Sequence, residues 1–364
     1  MVTLRRGGSV VAFTWNEDAE PSEHLAELQT RRFRSIERAA SEEVSFGWVT
    51  PGDPTGDSFD LEDLDAGGNW WLRFRVDAKK FPASKLQMEV ANAERARGRR
   101  LSARERRELK DHLHEQLLPT MLPRTQFVDV LVLSSLNRAL LFATSKAARE
   151  TFAKLVHESF GFAVNRCTSG FVALENVDEA GKAMPTIWPG RGPKQLELPG
   201  TQDFLGCEFL LWLWHGWEAF GGTFTVVGVG VVGIAIDDRV EFSAASDETS
   251  LVLRHGLTAR AAEARAALRA GRVPTKAHFL IAEGSRQWTA TLDGASLALS
   301  SVRGPDDSEE CESAEDVTSD RAANWFVLHQ IVEQLFLRFV AIRSSADWKE
   351  RAAEIGAWMG GGSS

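Results

Sequence analysis

The chain has 364 residues, of which 43% are hydrophobic and 26% are charged, and its formal net charge is −9 at pH 7. These values are those of a soluble globular protein with two domains, or with one domain and an insertion. Three cysteines lie far apart without a C-x-x-C pair, which predicts a reducing compartment and argues against both a zinc ribbon and a disulfide framework: Cys167, Cys207 and Cys311.

The first part of the chain predicts an α+β arrangement. Residues 9–15 predict a strand, residues 22–37 an amphipathic helix, and residues 69–76 a second strand whose side chains alternate between two faces. Arg73 and Arg75 share one of those faces. The stretch before the second strand is rich in glycine, proline and aspartate, which predicts turns.

A pair of basic helices is predicted next. The first helix is expected to begin near Pro82 and to end at Gly98. The second begins with a capping box formed by Ser102 and Glu105, and it stops before Pro119. Because strands are predicted on both sides of this pair, we expect the two helices to protrude as a tip.

The charge of this region differs sharply from that of the rest of the chain. From Arg73 to Lys110 there are 13 lysines and arginines against five aspartates and glutamates, a balance of +8, so the remaining residues sum to −17. A basic segment on an acidic protein indicates that one surface binds an anion. The alternative is an ordinary solvated helix face with ion pairs between neighbouring turns.

The rest of the chain predicts further strands and helices. We expect a hairpin within 126–144, a helix at 146–160, a turn-rich domain boundary within 161–203, and a tryptophan-rich helix at 204–220 that builds core or a subunit contact. The remaining predictions are strands at 223–236, 239–244, 276–283, 287–292 and 296–302, helices at 258–270 and 322–342, and an acidic loop or disordered segment at 306–320.

One uncharged stretch has the length of a membrane span. Ala219–Ile236 contains 18 residues without a charge, but its five glycines and its alternating pattern favour buried strands, so we predict no membrane association. Within it, Gly228–Gly233 spells G-x-G-x-x-G. The residues that follow alternate as a strand instead of opening a helix, which argues against a dinucleotide site.

Patterns for catalysis and metal binding are weak. The eight histidines are scattered, and neither a nucleophile elbow nor a triphosphate-binding loop occurs. We therefore predict no catalytic residue, metal site or cofactor. A metal-dependent nuclease stays a minor alternative, because four carboxylates cluster in a turn-rich loop, although without a partner lysine: Asp60, Glu62, Asp63 and Asp65.

Arginines and lysines are the remaining candidates for function. Cations without interleaved aromatic residues suit phosphate groups better than base edges, and they predict binding without sequence preference and with strong salt dependence. The candidates are Arg97, Arg99, Arg100 and Arg104 at the helix junction, and Arg254, His255, Arg272 and Lys276 on either side of the helix predicted at 258–270.

Four stretches, in order along the chain, resemble the bacterial recombination-associated protein family RdgC. They are the F-G-W-V-T-P element at 46–51, the E-R-R-E-L-K-D helix that runs from Glu105 to Pro119, the segment 139–161 with its T-S-K-A-A-R-E-T-F helix, and the A-G-R-V-P-T-K element at 270–276. Their order and spacing are similar to those of the family over roughly residues 40–345.

The resemblance implies an α+β fold in which a horseshoe-shaped protomer closes into a dimeric ring. Leu118 and Leu122 are expected to form the dimer contact at the tip. The implied parts are a central α+β domain at 1–76 and 125–175, a helical tip at 77–124, a second α+β base domain at 176–345, and a C-terminal segment with a flexible tail at 346–364.

RdgC-like proteins are understood to thread double-stranded DNA through a basic hole and to restrain recombination promoted by RecA. The resemblance therefore implies a cytoplasmic, nucleoid-associated homodimer that binds duplex DNA and is not an enzyme. It places Arg254 and His255 on a Lys-Gln pair of the family, and Arg272 and Lys276 on the lysines of its A-G-K-V-x-T-K element. A structural nucleoid-associated DNA binder without a role in recombination stays open.

Overall fold

The protein is a mixed α+β structure built on one large antiparallel sheet. The computed structural model describes residues 2–15, 24–57, 59, 62–80, 82–187, 202–243, 250–254 and 262–360. The strands are β1 (Gly7–Thr14), β2 (Val44–Val49), β3 (Trp70–Ala78), β4 (Arg124–Leu133), β5 (Arg138–Leu141), β6 (Asn165–Arg166), β7 (Thr223–Val226), β8 (Gly230–Ser243), β9 (Ser250–Arg254), β10 (Val273–Glu283), β11 (Arg286–Asp293) and β12 (Leu299–Arg303).

Helices cover this sheet and extend from it. In chain order they are α1 (Leu25–Thr30), α2 (Ala83–Arg97), α3 (Ala103–Leu117), α4 (Lys146–Phe160), α5 (Ser169–Asn176), α6 (Phe204–Phe220), α7 (Ala262–Arg269), α8 (Ala314–Arg343) and α9 (Trp348–Gly360). The predicted pair of basic helices is present as α2 and α3, which lie between β3 and β4 in the chain.

The first strand joins the two halves of the sheet. The strand order is β2-β3-β4-β5-β1-β12-β11-β10-β8-β7, with β6 paired to β1 and β9 paired to β8. The second half of β1 pairs with β5, from Val11 opposite Leu141 onward, whereas its first residues pair with β12, where Gly7 lies opposite Arg303. Hydrogen bonds therefore run from the predicted central domain into the predicted base domain without a break.

Two groups of buried side chains hold the helices on the sheet. In the first half of the sheet, Phe152 of α4 packs edge-on against Phe13 of β1, with ring centroids 5.1 Å apart. In the second group, α6 and α8 pack together through Phe209 and Phe336, 5.3 Å apart. Trp214 of α6 is 1% exposed, which confirms that the tryptophan-rich helix builds core.

Helix boundaries follow the sequence where capping residues mark them. Helices α4 and α6 have the predicted limits, and Ser102 forms the predicted capping box with Glu105 at the start of α3. The helix predicted at 22–37 is wrong beyond Thr30. There the backbone N–H of Phe33 donates to the carbonyl of Trp48 at 2.8 Å, so this segment pairs beside β2 instead of continuing the helix.

The C-terminal part contains more helix than the sequence predicts. Helix α8 begins at Ala314, so a loop over the whole of 306–320 is wrong; Ser313 and Asp316 form a capping box that starts the helix inside the acidic run. In the segment expected to include a flexible tail, α9 forms and buries Trp348 and Ile355. Residues 361–364 lie outside the described part.

The uncharged stretch at 219–236 forms the end of α6 and then β7 and the first part of β8, so strands are confirmed there. The predicted break between strands at 237–238 is wrong, because β8 continues from Gly230 to Ser243. Among the described residues one helix, α8, is long and apolar enough to cross a membrane by length and composition alone. Half of its most apolar window is buried inside the protein, and a core helix of a soluble protein meets the same criterion.

Candidate nucleic-acid interface

The arginines at the helix junction surround two glutamates. Gly98 adopts a left-handed conformation at the end of α2, with φ of 64°, and allows the chain to reverse into α3. The carboxylate of Glu105 then accepts from Arg97 and Arg99, each at 2.7 Å. Hydrogen bonding from Arg99 and Ser102 holds the pKa of Glu105 well below its usual range.

A second carboxylate, that of Glu94 in α2, binds residues on the other side of the helix junction. Glu94 accepts from the backbone N–H of Leu101 and from Arg106, both at 2.9 Å. These hydrogen bonds lower the pKa of Glu94, and the charge of Arg100 adds to the effect. Glu94 and Glu105 therefore fix the geometry of the junction that carries the arginines.

These ion pairs do not cancel the positive charge of the tip. Arg97, Arg99 and Arg104 remain more than half exposed although each contacts a glutamate, Arg104 doing so with Glu108 at 2.8 Å. From Glu94 to Lys110 eight lysines and arginines face three carboxylates. The ion-pair interpretation thus holds for single residues, while the group as a whole keeps a net positive charge that suits a polyanion.

The base candidates lie around β8, β9 and β10. Arg254 ends β9 opposite Arg239 of β8, and it is exposed. Lys276 of β10 lies 3.8 Å from Glu241 and 3.6 Å from Asp293, and its side chain is 40% exposed. Arg272, two residues before Pro274, is half-buried, and its backbone N–H donates to Ala267 at the end of α7. His255 lies outside the described residues.

The two candidate groups do not form one cluster within a protomer. The tip leaves the sheet where β4 begins, and β10 lies five strands away, about 24 Å across a sheet with ~4.8 Å between strands. The strand pairings also show that the end of β4 nearest the tip lies at the same edge of the sheet as Glu283 of β10. Lys276 lies toward the opposite end of β10. Contact with one ligand would therefore require an extended molecule.

The two leucines predicted at the tip contact differ in exposure. Leu122 is 75% exposed and is available to a second molecule. Leu118 is only 5% exposed, and its carbonyl accepts from the amine of Lys79 at 3.0 Å. A contact between tips through Leu122 stays a prediction, while the side chain of Leu118 is used inside the protomer.

Two arginines of β3 hold the sheet together. Arg73 donates to Asp129 at 2.7 Å, and Arg75 donates to Asp77 at 2.7 Å. Asp129 also accepts from Arg5 at 2.8 Å and from the indole N–H of Trp71 at 3.1 Å. Sequence reasoning missed these partners because Asp129 comes opposite Arg73 only through the β3–β4 register.

Three of the four carboxylates considered for a nuclease, Glu62, Asp63 and Asp65, lie in or beside a short helical turn. Asp63 accepts from the hydroxyl of Thr50 at 3.1 Å, and Asp65 accepts from the backbone of Gly68 at 3.2 Å. Asp60 lies outside the described residues. Within the part of the chain that the structure describes, no group of three or more His, Cys, Asp or Glu side chains is placed to hold a metal ion.

A comparison with protein families bears directly on the first half of the chain. The family model named RdgC, described as "Putative exonuclease, RdgC", matches residues 9–171. This match supports an RdgC family assignment. The RdgC-matched region begins in β1, contains the whole tip and ends in α5. It indicates a recombination-associated, DNA-related protein. No curated protein matches the chain.

Proposed function

We propose that the protein binds double-stranded DNA without sequence preference, as a ring-shaped homodimer, and that it restrains recombination promoted by RecA. The observation that carries the proposal is the RdgC match over residues 9–171, because the matched region includes the basic tip of an otherwise acidic chain. A localised positive charge of this kind attracts a polyanion while the acidic remainder discourages other contacts.

The geometry of the tip supports contact with phosphate groups. The guanidiniums of Arg97 and Arg99 already bind the oxygens of Glu105, and about half of each remains exposed. A phosphate oxygen is an acceptor of the same kind, and arginine binds such groups through paired N–H donors. We infer that the exposed donors bind DNA phosphates while Glu105 keeps the arginines ordered.

The chemistry of the cysteines supports the proposed cytoplasmic, nucleoid-associated location. All three are free, and Cys167 and Cys207 are buried. Burial raises the pKa of the Cys167 thiol to about 12 and raises that of Cys207 as well, so neither forms a reactive thiolate at neutral pH. Free, unreactive thiols suit a reducing compartment.

A titration of DNA binding against salt tests the proposal. If the protein neutralises about six phosphates, the logarithm of its affinity for a duplex should fall with a slope near −5 against the logarithm of salt concentration. Replacing both Arg254 and Arg272 by alanine should reduce that slope by about 2. An Arg351→Ala variant, which removes an exposed arginine paired with Glu354 on α9, serves as the control.

The result of that titration separates the outcomes. Affinity that does not change with salt would contradict binding to the DNA backbone. A normal slope in the Arg254→Ala Arg272→Ala variant would remove these two residues from the site. The role in recombination requires a second measurement, in which the protein should slow RecA-promoted strand exchange on the same duplex; a bound protein that leaves the exchange rate unchanged would instead be a structural nucleoid component.

The description of the family model names a second candidate, an exonuclease. We expect no release of the label from an end-labelled linear duplex that is incubated with the protein and Mg²⁺ or Mn²⁺. A metal-dependent loss of the label that an Asp63→Asn variant abolishes would replace the binding proposal with an enzymatic one.

A further inference from the structure

Two half-buried arginines, Arg149 and Arg166, interact electrostatically, and neither has an ion-pair partner among the described residues. Arg149 is in the first turn of α4, and Arg166 ends the short strand β6, opposite Phe13 of β1. The Nε atoms of both arginines are shielded from solvent and have no hydrogen-bond partner in the part of the chain that the structure describes. Among the described residues, neither guanidinium forms an ion pair.

Three other arginines, one buried and two half-buried, are paired. Arg138 contacts Glu333 at 2.7 Å, Arg343 contacts Glu208 at 2.6 Å, and Arg73 contacts Asp129 at 2.7 Å. A guanidinium N–H that is withdrawn from water without an acceptor loses hydration that nothing replaces, as at the Nε atoms of Arg149 and Arg166. Arg149 and Arg166 therefore differ from these three arginines in having no carboxylate contact among the described residues.

The two charges also repel each other. Burial, and next the charge of Arg149, lowers the pKa of Arg166. The carboxylates of Asp293 and Asp203 offset this effect only through their charge, because each is engaged elsewhere. Asp293 accepts from the backbone and hydroxyl of Ser296, at 2.9 and 2.7 Å, and Asp203 accepts from a backbone N–H at 3.0 Å.

This pair lies in the neighbourhood of a residue that the proposed function already uses. Asp293 is 3.6 Å from the amine of Lys276. Three residues after Arg166, the backbone N–H and hydroxyl of Ser169 donate to the carbonyl of Ala295, at 3.0 and 3.1 Å. The segment that carries Arg166 is thus tied to the turn that carries Asp293, which brings Arg166 toward Lys276.

We propose that Arg149 and Arg166 form a phosphate-binding site whose ligand is a phosphodiester group of duplex DNA. The identity of the ligand rests on the proposed function. A phosphate oxygen accepts from two guanidiniums at once and cancels their repulsion. Because Arg149 lies in the first turn of α4, the positive end of the helix dipole adds to the attraction. Arg149 and Arg166 belong to the family-matched region, and they add two cations to those around Lys276.

Neutral substitutions test this site. In Arg149→Gln and Arg166→Gln variants, the slope of duplex affinity against salt should fall by about 1 for each arginine removed, and the affinity by about tenfold. The control is Arg351→Gln, which removes an exposed and paired arginine on α9. If the double variant keeps the wild-type slope while the wild type binds duplex with strong salt dependence, the site is wrong and the proposed function stands.

A measurement without DNA separates folding from binding. Because each substitution relieves repulsion, we expect Arg166→Gln to unfold at the same temperature as the wild type or at a higher one. If inorganic phosphate stabilises the wild type but not Arg166→Gln, while duplex binding is equal in both, the site takes free phosphate and the assignment to DNA is wrong. Absence of salt-dependent duplex binding by the wild type overturns the proposed function, and the phosphodiester with it.

Discussion

At the scale of single residues, the first family-like element serves the backbone more than it serves chemistry. A Cβ atom at Gly47 would lie 2.5 Å from the backbone nitrogen of Phe33, so this position accepts only glycine. The next residue, Trp48, is 1% exposed, and its indole N–H donates to the hydroxyl of Ser159 at 2.8 Å, which ties β2 to α4. The F-G-W-V-T-P element thus specifies a close approach of two chain segments.

Replacing Gly47 by alanine should therefore destabilise the protein strongly. The added methyl group meets backbone atoms that cannot rotate away, and we expect a loss of at least about 3 kcal/mol in the free energy of unfolding. Gly356→Ala is the matched control, because a Cβ atom there meets no atom within 4 Å in helix α9. Alanine should stabilise that helical position by about 0.5–1 kcal/mol.

Urea denaturation followed by circular dichroism measures both variants. Equal midpoints for Gly47→Ala and Gly356→Ala would show that the segment around Phe33 does not lie against β2.

At the scale of elements, one ion-pair group fastens α8 to the sheet. Arg138 of β5 donates to Glu333 at 2.7 Å, and His329, one turn earlier in α8, lies 3.4 Å from the same carboxylate. Burial acts to raise the pKa of Glu333, but His329 and Arg138 outweigh it and lower the pKa to about 2. The ordinary value is 4.5, so the folded protein holds this carboxylate in its charged form.

The contribution of the ion pair between Arg138 and Glu333 to the free energy of unfolding should depend on pH. Because the folded pKa is depressed, the stabilisation is fully present above pH 4.5 and is lost as pH falls toward 2. At pH 7, Glu333→Gln leaves Arg138 buried without its charge partner and should cost about 3 kcal/mol. The difference in the free energy of unfolding between wild type and Glu333→Gln should become smaller as the solution is acidified below pH 4.5.

Denaturant titrations at several pH values test this expectation. Glu354→Gln removes an exposed ion pair with Arg351 and should change stability by at most about 1 kcal/mol at each pH. If the stabilities of wild type and Glu333→Gln instead run parallel from neutral to acidic pH, Glu333 does not titrate with a lowered pKa.

Elements with clear end signals could be predicted from the sequence, and others could not. Helix α3 has a capping box and a following proline, and α4 ends at a glycine; both were predicted where they occur. For helix α8 the sequence predicts a start at residue 322, eight residues later than the observed Ala314, because the first turns are acidic. Ser313 and Asp316 nevertheless carry the same kind of capping signal. Strand pairs such as β1 with β12 depend on contacts nearly 300 residues apart, which local patterns do not contain.

The candidate site shows the same limit. Its arginines and lysines are visible in the composition, but their partners are not. Glu94 and Arg106 are 12 residues apart in sequence and meet only because the chain reverses at Gly98. Likewise, Arg149 and Arg166 have no spacing signal, since a helix and a strand bring them together.

At the scale of the whole molecule, the proposed ring makes a topological prediction. A closed ring that surrounds DNA should remain on a circular duplex when salt weakens its phosphate contacts, but it should slide off a linear duplex. Leu122→Glu places a charge on the exposed leucine predicted at the tip contact, and it should make retention on the circle as poor as on the linear molecule. Val227→Glu, at a position that is 78% exposed between β7 and β8, is the control.

Retention after a salt challenge is measured by gel filtration of labelled protein with circular or linearised plasmid. Equal loss of wild-type protein from both forms of DNA would contradict a closed ring and leave an open complex.

The position of β1 has a consequence for any attempt to isolate the family-matched segment. A fragment ending at residue 171 would contain β1 but lack β12. The N–H and C=O groups of β1 that pair with β12 would then be unpaired, and β1 would become an exposed edge strand. The same cut would uncover Trp71 and Leu131, which belong to the buried group shared with α6 and α8. We expect such a fragment to precipitate when it is expressed alone, because the family-matched segment needs the rest of the sheet and its covering helices in order to fold.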